Sequence, residues 1–168
     1  MTCPAHDLDR LARQAERLTF PRFDEGTAWE LATRLRADAE RRGTPISVEV
    51  RLAGQTVVFF AMPGTSPGNA DWARRKRNTV ELLQKASYRL GGEFAHGGNT
   101  LEGLMGLPLR DYCDHGGAVP IRVDGIGMVG VVTVSGLPQR EDHEMAVAAI
   151  AGLCGVPVAE VALDGADA

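Results

Sequence analysis

Two charged residues sit where a helix should be apolar. Placed at 100° steps, Trp72, Ala73, Val80, Leu83 and Ser87 share one face, and Lys76 falls near the middle of that arc. Further on, Ala146, Ala149, Ile150 and Leu153 form the inner face of another helix, with Asp142 on that face one turn earlier and His143 at its edge. A buried ammonium or carboxylate is costly unless paired, so each is a candidate for a ligand site, with Ser135 and Gly136 beside Asp142. The alternatives are a snorkelling or interface-paired lysine and an acidic residue placed by the helix dipole. A third cluster, Asp111-Tyr112-Cys113-Asp114-His115, offers Tyr112, Cys113 and His115 as metal or haem ligands. It lacks a partner set of recognised spacing, and no metal site is assigned.

The elements that must carry these residues follow from periodicity. Residues 6–18 form a first helix with Leu8, Leu11, Ala15 and Leu18 on one stripe. A second runs from a capping box at Thr27 and Glu30 to Gly43. Residues 46–52 alternate as a strand, and residues 55–62 read as an inner strand, apolar on both faces. A long third helix is expected from Asn69 or Asp71 to about Tyr88, then glycine-rich loops over residues 91–117 with one short helix near 100–105. Residues 118–123 and 126–135 form a second hairpin around Asp124-Gly125, read as a type I′ turn, and the last helix runs from Leu137-Pro138 to about Cys154. Two hairpins with interleaved helices imply an α+β domain with one antiparallel sheet.

The chain has 168 residues, 44 % apolar and 24 % charged, with a formal net charge of −4. That suits one globular domain. Residues 74–77, Arg-Arg-Lys-Arg, point in four directions around a helix, which argues against nucleic acid. No apolar run reaches the roughly 18 residues of a membrane helix. The first ten residues, with Asp7 and Asp9, do not form a leader, and Cys3, Cys113 and Cys154 make no disulfide framework, so a cytoplasmic location is expected.

The stretch His115-Gly116-Gly117-Ala118-Val119-Pro120-Ile121, followed by Gly127-Met128-Val129-Gly130 through Val134-Ser135-Gly136, resembles the signature of the HbpS/GlcG-like haem-degrading domain family, and Asp142 fits it too. Phe20-Pro21-Arg22-Phe23, Pro63-Gly64-Thr65 and the run from Asn69 to Asn78 resemble its cytosolic branch. The resemblance covers roughly residues 7–154. It implies about five antiparallel strands with flanking helices, assembly into a homo-oligomer, and a ligand such as haem or another tetrapyrrole. The resemblance itself places no haem ligand; the cluster at 111–115 offers His115 or Tyr112 for haem, and Lys76, Asp142 and Ser135 are the candidates for a small-ligand site. A non-catalytic protein-binding module and a small enzyme using Lys76 and Asp142 as acid and base are the other two readings. Leu82, opposite the apolar arc of its helix, points to a further surface to bury between subunits.

Overall fold

The computed structural model describes residues 3–163; residues 1–2 and 164–168, the ends of the domain as read from the sequence, lie outside them. Helices α1 (Ala5–Arg17) and α2 (Glu25–Arg42) precede the hairpin β1 (Ser47–Leu52) and β2 (Gln55–Ala61). Next come α3 (Pro67–Leu83), α4 (Ser87–His96) and α5 (Leu101–Met105). A second hairpin, β3 (Ala118–Val123) and β4 (Gly127–Ser135), leads to α6 (Gln139–Cys154) and α7 (Val158–Val161). The strands form one antiparallel sheet in the order β2-β1-β4-β3. Beyond these four strands, Phe20 makes a one-residue parallel bridge to Val123 at the β3 edge.

The sheet is covered differently on its two faces. Val48, Val50, Val119, Ile121, Val132 and Val134 meet Ala28, Leu31, Leu35, Ala146 and Ile150 in the main core, so α2 and α6 share one face. Helix α3 lies on the opposite face, where Val80 packs on Ala118 and Val131. There the alternate positions Ser47, Glu49, Thr133 and Ser135 are buried and polar. One layer is thus sealed by apolar burial and the other by hydrogen bonds and ion pairs.

Several local readings are corrected. The cap of α2 is Asp24, whose Oδ1 accepts the Thr27 N–H at 2.9 Å, and Glu30 pairs with Arg34 rather than closing a box. Strand β2 is an edge strand, with Phe59 49 % exposed, and β1 is the inner one. Helix α3 stops at Gln84, which is left-handed (φ 54°), and the chain restarts as α4 through residues expected to be loop. Residues 91 and 92 lie within that helix and are glycine because a β-carbon would strike the Asp114 carbonyl or Cys3. The second hairpin turns through residues 124–126 with Gly125 and Gly127 at positive φ; Asp124 is not left-handed, so the turn is not type I′.

His143 is fully buried between layers and stacks on Tyr88. Gln14 donates its Nε2–H to the Val161 carbonyl at 2.6 Å, so its Oε1 is an acceptor. His143 Nε2 lies 2.8 Å from that oxygen and therefore carries the hydrogen, leaving Nδ1 as a buried lone pair without a partner among the described residues. Burial, with the Arg140 charge adding to it, pulls this imidazole down to a pKa of about 3. The unfolded chain takes up a proton here below about pH 6.5, and the folded chain does so only near 3. Stability is therefore complete above the unfolded value and falls as the pH drops through that window, by about 2 kcal/mol at pH 5. Urea unfolding at pH 7.5 and 5.0 checks this. In His143→Phe, which keeps an aromatic ring against Tyr88, the loss between those two pH values should shrink by about that amount.

Candidate functional site

Lys76 and Asp142 come from opposite faces of the sheet. Lys76 projects from α3, Asp142 from the first turn of α6, and they meet around the end of β4. Lys76 Nζ donates to Asp142 Oδ2 at 2.8 Å and to the Val134 carbonyl at 3.2 Å. The other carboxylate oxygen, Oδ1, accepts the Leu137 N–H at 3.0 Å. The residues are 4 % and 1 % exposed, so the pair is buried from both sides. Burial pushes the Asp142 carboxyl above its ordinary range, while the Lys76 ammonium and the Leu137 N–H pull it back.

Two glycines make room for the pair. A β-carbon on Gly117 (φ 132°) would lie 2.3 Å from the Val134 carbonyl and 2.8 Å from Lys76 Nζ. One on Gly116 would lie 2.2 Å from the Gln139 carbonyl. The Gly-Gly step before β3 is therefore a steric requirement of the ion pair and of the start of α6.

The pair forms the inner wall of a cleft of about 220 Å³ lined by Asn69, Trp72, His115, Ser135, Gly136, Leu137 and Gln139. The His115 ring stacks on Trp72, with centroids 5.1 Å apart and planes 18° off parallel. Arg75 lies on the same indole, its Cζ 3.9 Å from the ring centroid, and pairs with Asp71 at 3.0 Å. Partial burial holds His115 below its ordinary pKa; Asp114 opposes the shift and the Lys76 and Arg75 charges add to it, so the neutral imidazole is favoured. Ser135 is 3 % exposed, and its hydroxyl makes no hydrogen bond among the described residues.

The cleft thus brings together Lys76, Asp142, Ser135 and His115. Tyr112 lies elsewhere, against Leu90, Phe94 and Leu101 under α4. Cys113, Asp114 and His115 place one ligand atom each within 4.8 Å of one another. The Cys113 thiol is nevertheless buried, accepts the His115 N–H at 3.3 Å, and is pushed up by burial away from the thiolate a metal needs. The basic run is ion-paired: Arg74 to Asp71 and Asp111, Arg77 to Glu49.

Sequence reasoning missed Asn69, Trp72 and Gln139 as cleft residues. Asn69 and Trp72 read as cap and core, and Trp72 is in fact 37 % exposed. A second groove, about 280 Å³ and mainly apolar, runs beside the β3 edge under Leu11, Leu18 and Val119. Its cations are already engaged, Lys85 and Arg89 with Glu93 and Arg122 with the Gln84 carbonyl.

A buried pair of this kind gives a clear thermodynamic signature. Lys76→Met or Asp142→Leu alone strands a charge and should cost about 3–5 kcal/mol, whereas the double variant should cost much less than the sum. Denaturant unfolding of the four proteins measures the coupling. Additive losses would show that the two groups do not sense each other.

Residues 23–151 match the model of a family described as "Haem degrading protein HbpS-like". A "UPF0303 protein" of Azotobacter vinelandii is 49 % identical over 158 residues, spanning 94 % of this chain and 95 % of the relative. Another from Serratia proteamaculans is 47 % identical, spanning 92 % and 96 %. Among solved structures, Ybr137w superposes with a TM-score of 0.81 at 26 % identity, covering 88 % of this chain and 87 % of that one. An HbpS double mutant from Streptomyces reticuli gives 0.65 at 26 % identity, covering 80 % and 89 %. No helix among the described residues is long and apolar enough to cross a membrane.

Proposed function

We propose, for a chain that belongs to the family of HbpS-like haem-degrading proteins, that the cleft at the end of β4 is a small-molecule binding site and that the domain acts through binding. The observation that carries this reading is Ser135. The residue is 3 % exposed, its hydroxyl makes no bond inside the described residues, and it lines the same cleft as Lys76. Buried polar groups are normally satisfied, so a hydroxyl left in this position is suited to a ligand or water. The volume, about 220 Å³, is below the roughly 300–1,000 Å³ of sites for drug-sized ligands, so the molecule held within it is small. Acid–base catalysis by the pair is a poorer fit, because both Asp142 oxygens already accept hydrogen bonds and the ammonium is held by Asp142 and Val134.

The family description also names haem, and His115 supports a second reading. A neutral imidazole at the cleft lip, with no hydrogen bond from its ring among the described residues, is the form an iron ligand requires. A whole porphyrin is too large for the cleft, so it would sit over the Trp72–His115 wall and extend outward. Hemin titration followed in the Soret region tests this. His115→Ala should abolish a specific spectral change and Tyr112→Phe should leave it intact, since Tyr112 packs away from the cleft. Loss of the change in Tyr112→Phe, with His115→Ala unaffected, would overturn this assignment.

Self-association fits the exposed apolar side chains: Trp29, Phe59 and Leu82 are 58 %, 49 % and 51 % exposed. Sedimentation at micromolar protein should give a mass at least twice the 18.0 kDa of one chain. A mass near 18.0 kDa would remove the homo-oligomer from the account. The expected setting is cytoplasmic, without membrane or nucleic-acid partners.

A further inference from the structure

We infer that the cleft takes a small organic monocarboxylate, held through its oxygens; the inference rests on the reading of this cleft as a ligand site. It comes from how the polar side chains on the lining are already engaged. Asn69 spends Oδ1 on the Ser66 N–H at 2.8 Å, at the start of α3, which leaves its amide hydrogens. Gln139 spends Oε1 on the Gly116 N–H at 3.1 Å. Asp142 spends one oxygen on Lys76 and the other on Leu137, and the Val134 carbonyl takes a second Lys76 hydrogen.

The side-chain acceptors of Asn69, Gln139 and Asp142 are thus each engaged inside the protein, while donors remain. An ammonium has three N–H groups, and the two bonds just given leave one. The Ser135 hydroxyl and the Trp72 indole N–H make no hydrogen bond among the described residues. Among the lining side chains, Ser135 and His115 are the acceptors that make no hydrogen bond among the described residues, and each of those groups also carries a hydrogen. A ligand that brings acceptors satisfies this lining. A ligand ammonium would meet the Lys76 charge and side-chain oxygens already engaged within the protein, which offset little of its desolvation cost.

Charge balance narrows the choice of anion. Asp142 already neutralises Lys76, so the buried wall has no net charge with which to offset a phosphate dianion. A monoanion needs only the remaining ammonium hydrogen, a hydroxyl and an amide, with Arg75 over Trp72 as the nearby cation on the rim. Ser135 and Lys76 line the same cleft and offer one donor to each oxygen of a carboxylate, and the small volume limits the rest of the molecule to a few heavy atoms.

The test uses the full chain carrying Trp29→Phe, which leaves Trp72 as the one tryptophan reporter, since the chain has two. Acetate, pyruvate, acetamide, ethylammonium and inorganic phosphate are titrated at constant ionic strength, with amide NMR shifts at Ser135 and Leu137 as the second readout. Acetate and pyruvate should bind with roughly millimolar Kd, and the other three at least about tenfold more weakly. Ser135→Ala should weaken pyruvate about fivefold or more. Asn69→Asp keeps an oxygen for the Ser66 N–H but replaces the amide hydrogens by a charged oxygen. It should retain the Tm to within about 3 °C yet weaken pyruvate at least about tenfold. Ethylammonium, acetamide or phosphate binding as well as pyruvate overturns the carboxylate assignment and leaves the cleft as a site. Unchanged pyruvate affinity in both variants overturns it as well. If none of the probes moves Trp72 or the Ser135 and Leu137 amides, the reading of the cleft as a ligand site falls, and this inference with it.

Discussion

An ammonium and a carboxylate cannot be taken out of water at the end of a sheet unless the surrounding backbone is built to receive them, and much of the local structure follows from that. The ammonium needs an oxygen beyond its counter-ion, and the last carbonyls of β4 supply one at Val134. The carboxylate needs an N–H beyond the ammonium, and the chain must turn after β4 to present Leu137. That turn brings residue 136 so close to the preceding segment that a β-carbon would lie 2.4 Å from the Pro45 carbonyl, so it is glycine. The strand beside it must start without a side chain at residue 117 for the same reason. The glycines flanking β3 and β4 and the proline that starts α6 thus belong to one steric and electrostatic arrangement. Because Lys76 and Asp142 lie on opposite faces, the pair also ties the two helical layers together across the sheet.

The two layers divide the work. On the α2 and α6 face, valines from every strand interlock with alanine and leucine, and nothing there asks for a ligand. On the α3 face, Arg77 holds both oxygens of Glu49, with Thr56 adding a third bond at 2.7 Å, while the hydroxyls of Ser47 and Thr133 are buried without partners among the described residues. A polar interlayer contributes less net stability than an apolar one of the same area, because its groups give up water to find one another. The fold is therefore held by one face and leaves the other free to carry specific polar geometry. The cleft opens on that second face, where α3 leaves the end of β4 uncovered.

This division explains what the sequence made legible. Helical periodicity is local, so a lysine and an aspartate misplaced on apolar arcs stand out without any knowledge of the fold, and the glycines and turn residues around β3 and β4 mark the hairpin that joins them. Strand position is not local. Residues 55–61 are as apolar as an inner strand because Val58 and Phe60 meet the core while Phe59, on the other face, is left half open beyond α3. The end of α3 was hidden as well: Gln84 adopts a left-handed conformation with no glycine to announce it, and the helical pattern continues into α4. His143 read as an edge residue because its neighbours in space lie on other helices, Gln14 on α1, 129 residues before it in sequence, and Tyr88 on α4.

A second buried polar cluster shows why the first is the better candidate. Asp7 is fully buried and paired with Arg140, which also reaches Tyr88, while Tyr88 stacks on His143 and His143 meets Gln14. The ingredients match those of the cleft: a charged pair, an aromatic face and a hydroxyl. Here, however, α1 closes over the cluster, and Gln14 passes its remaining hydrogen bond to the Val161 carbonyl, fastening α7 as well. The one unspent atom, His143 Nδ1, is sealed from solvent. Such a cluster fixes helices in place, and its polarity acts on stability. At the end of β4 the unspent groups are hydrogens on Lys76 and Ser135 that line an open cleft. Polar groups bonded to one another specify a fold, whereas polar groups left with hydrogens facing an accessible space specify what can enter it.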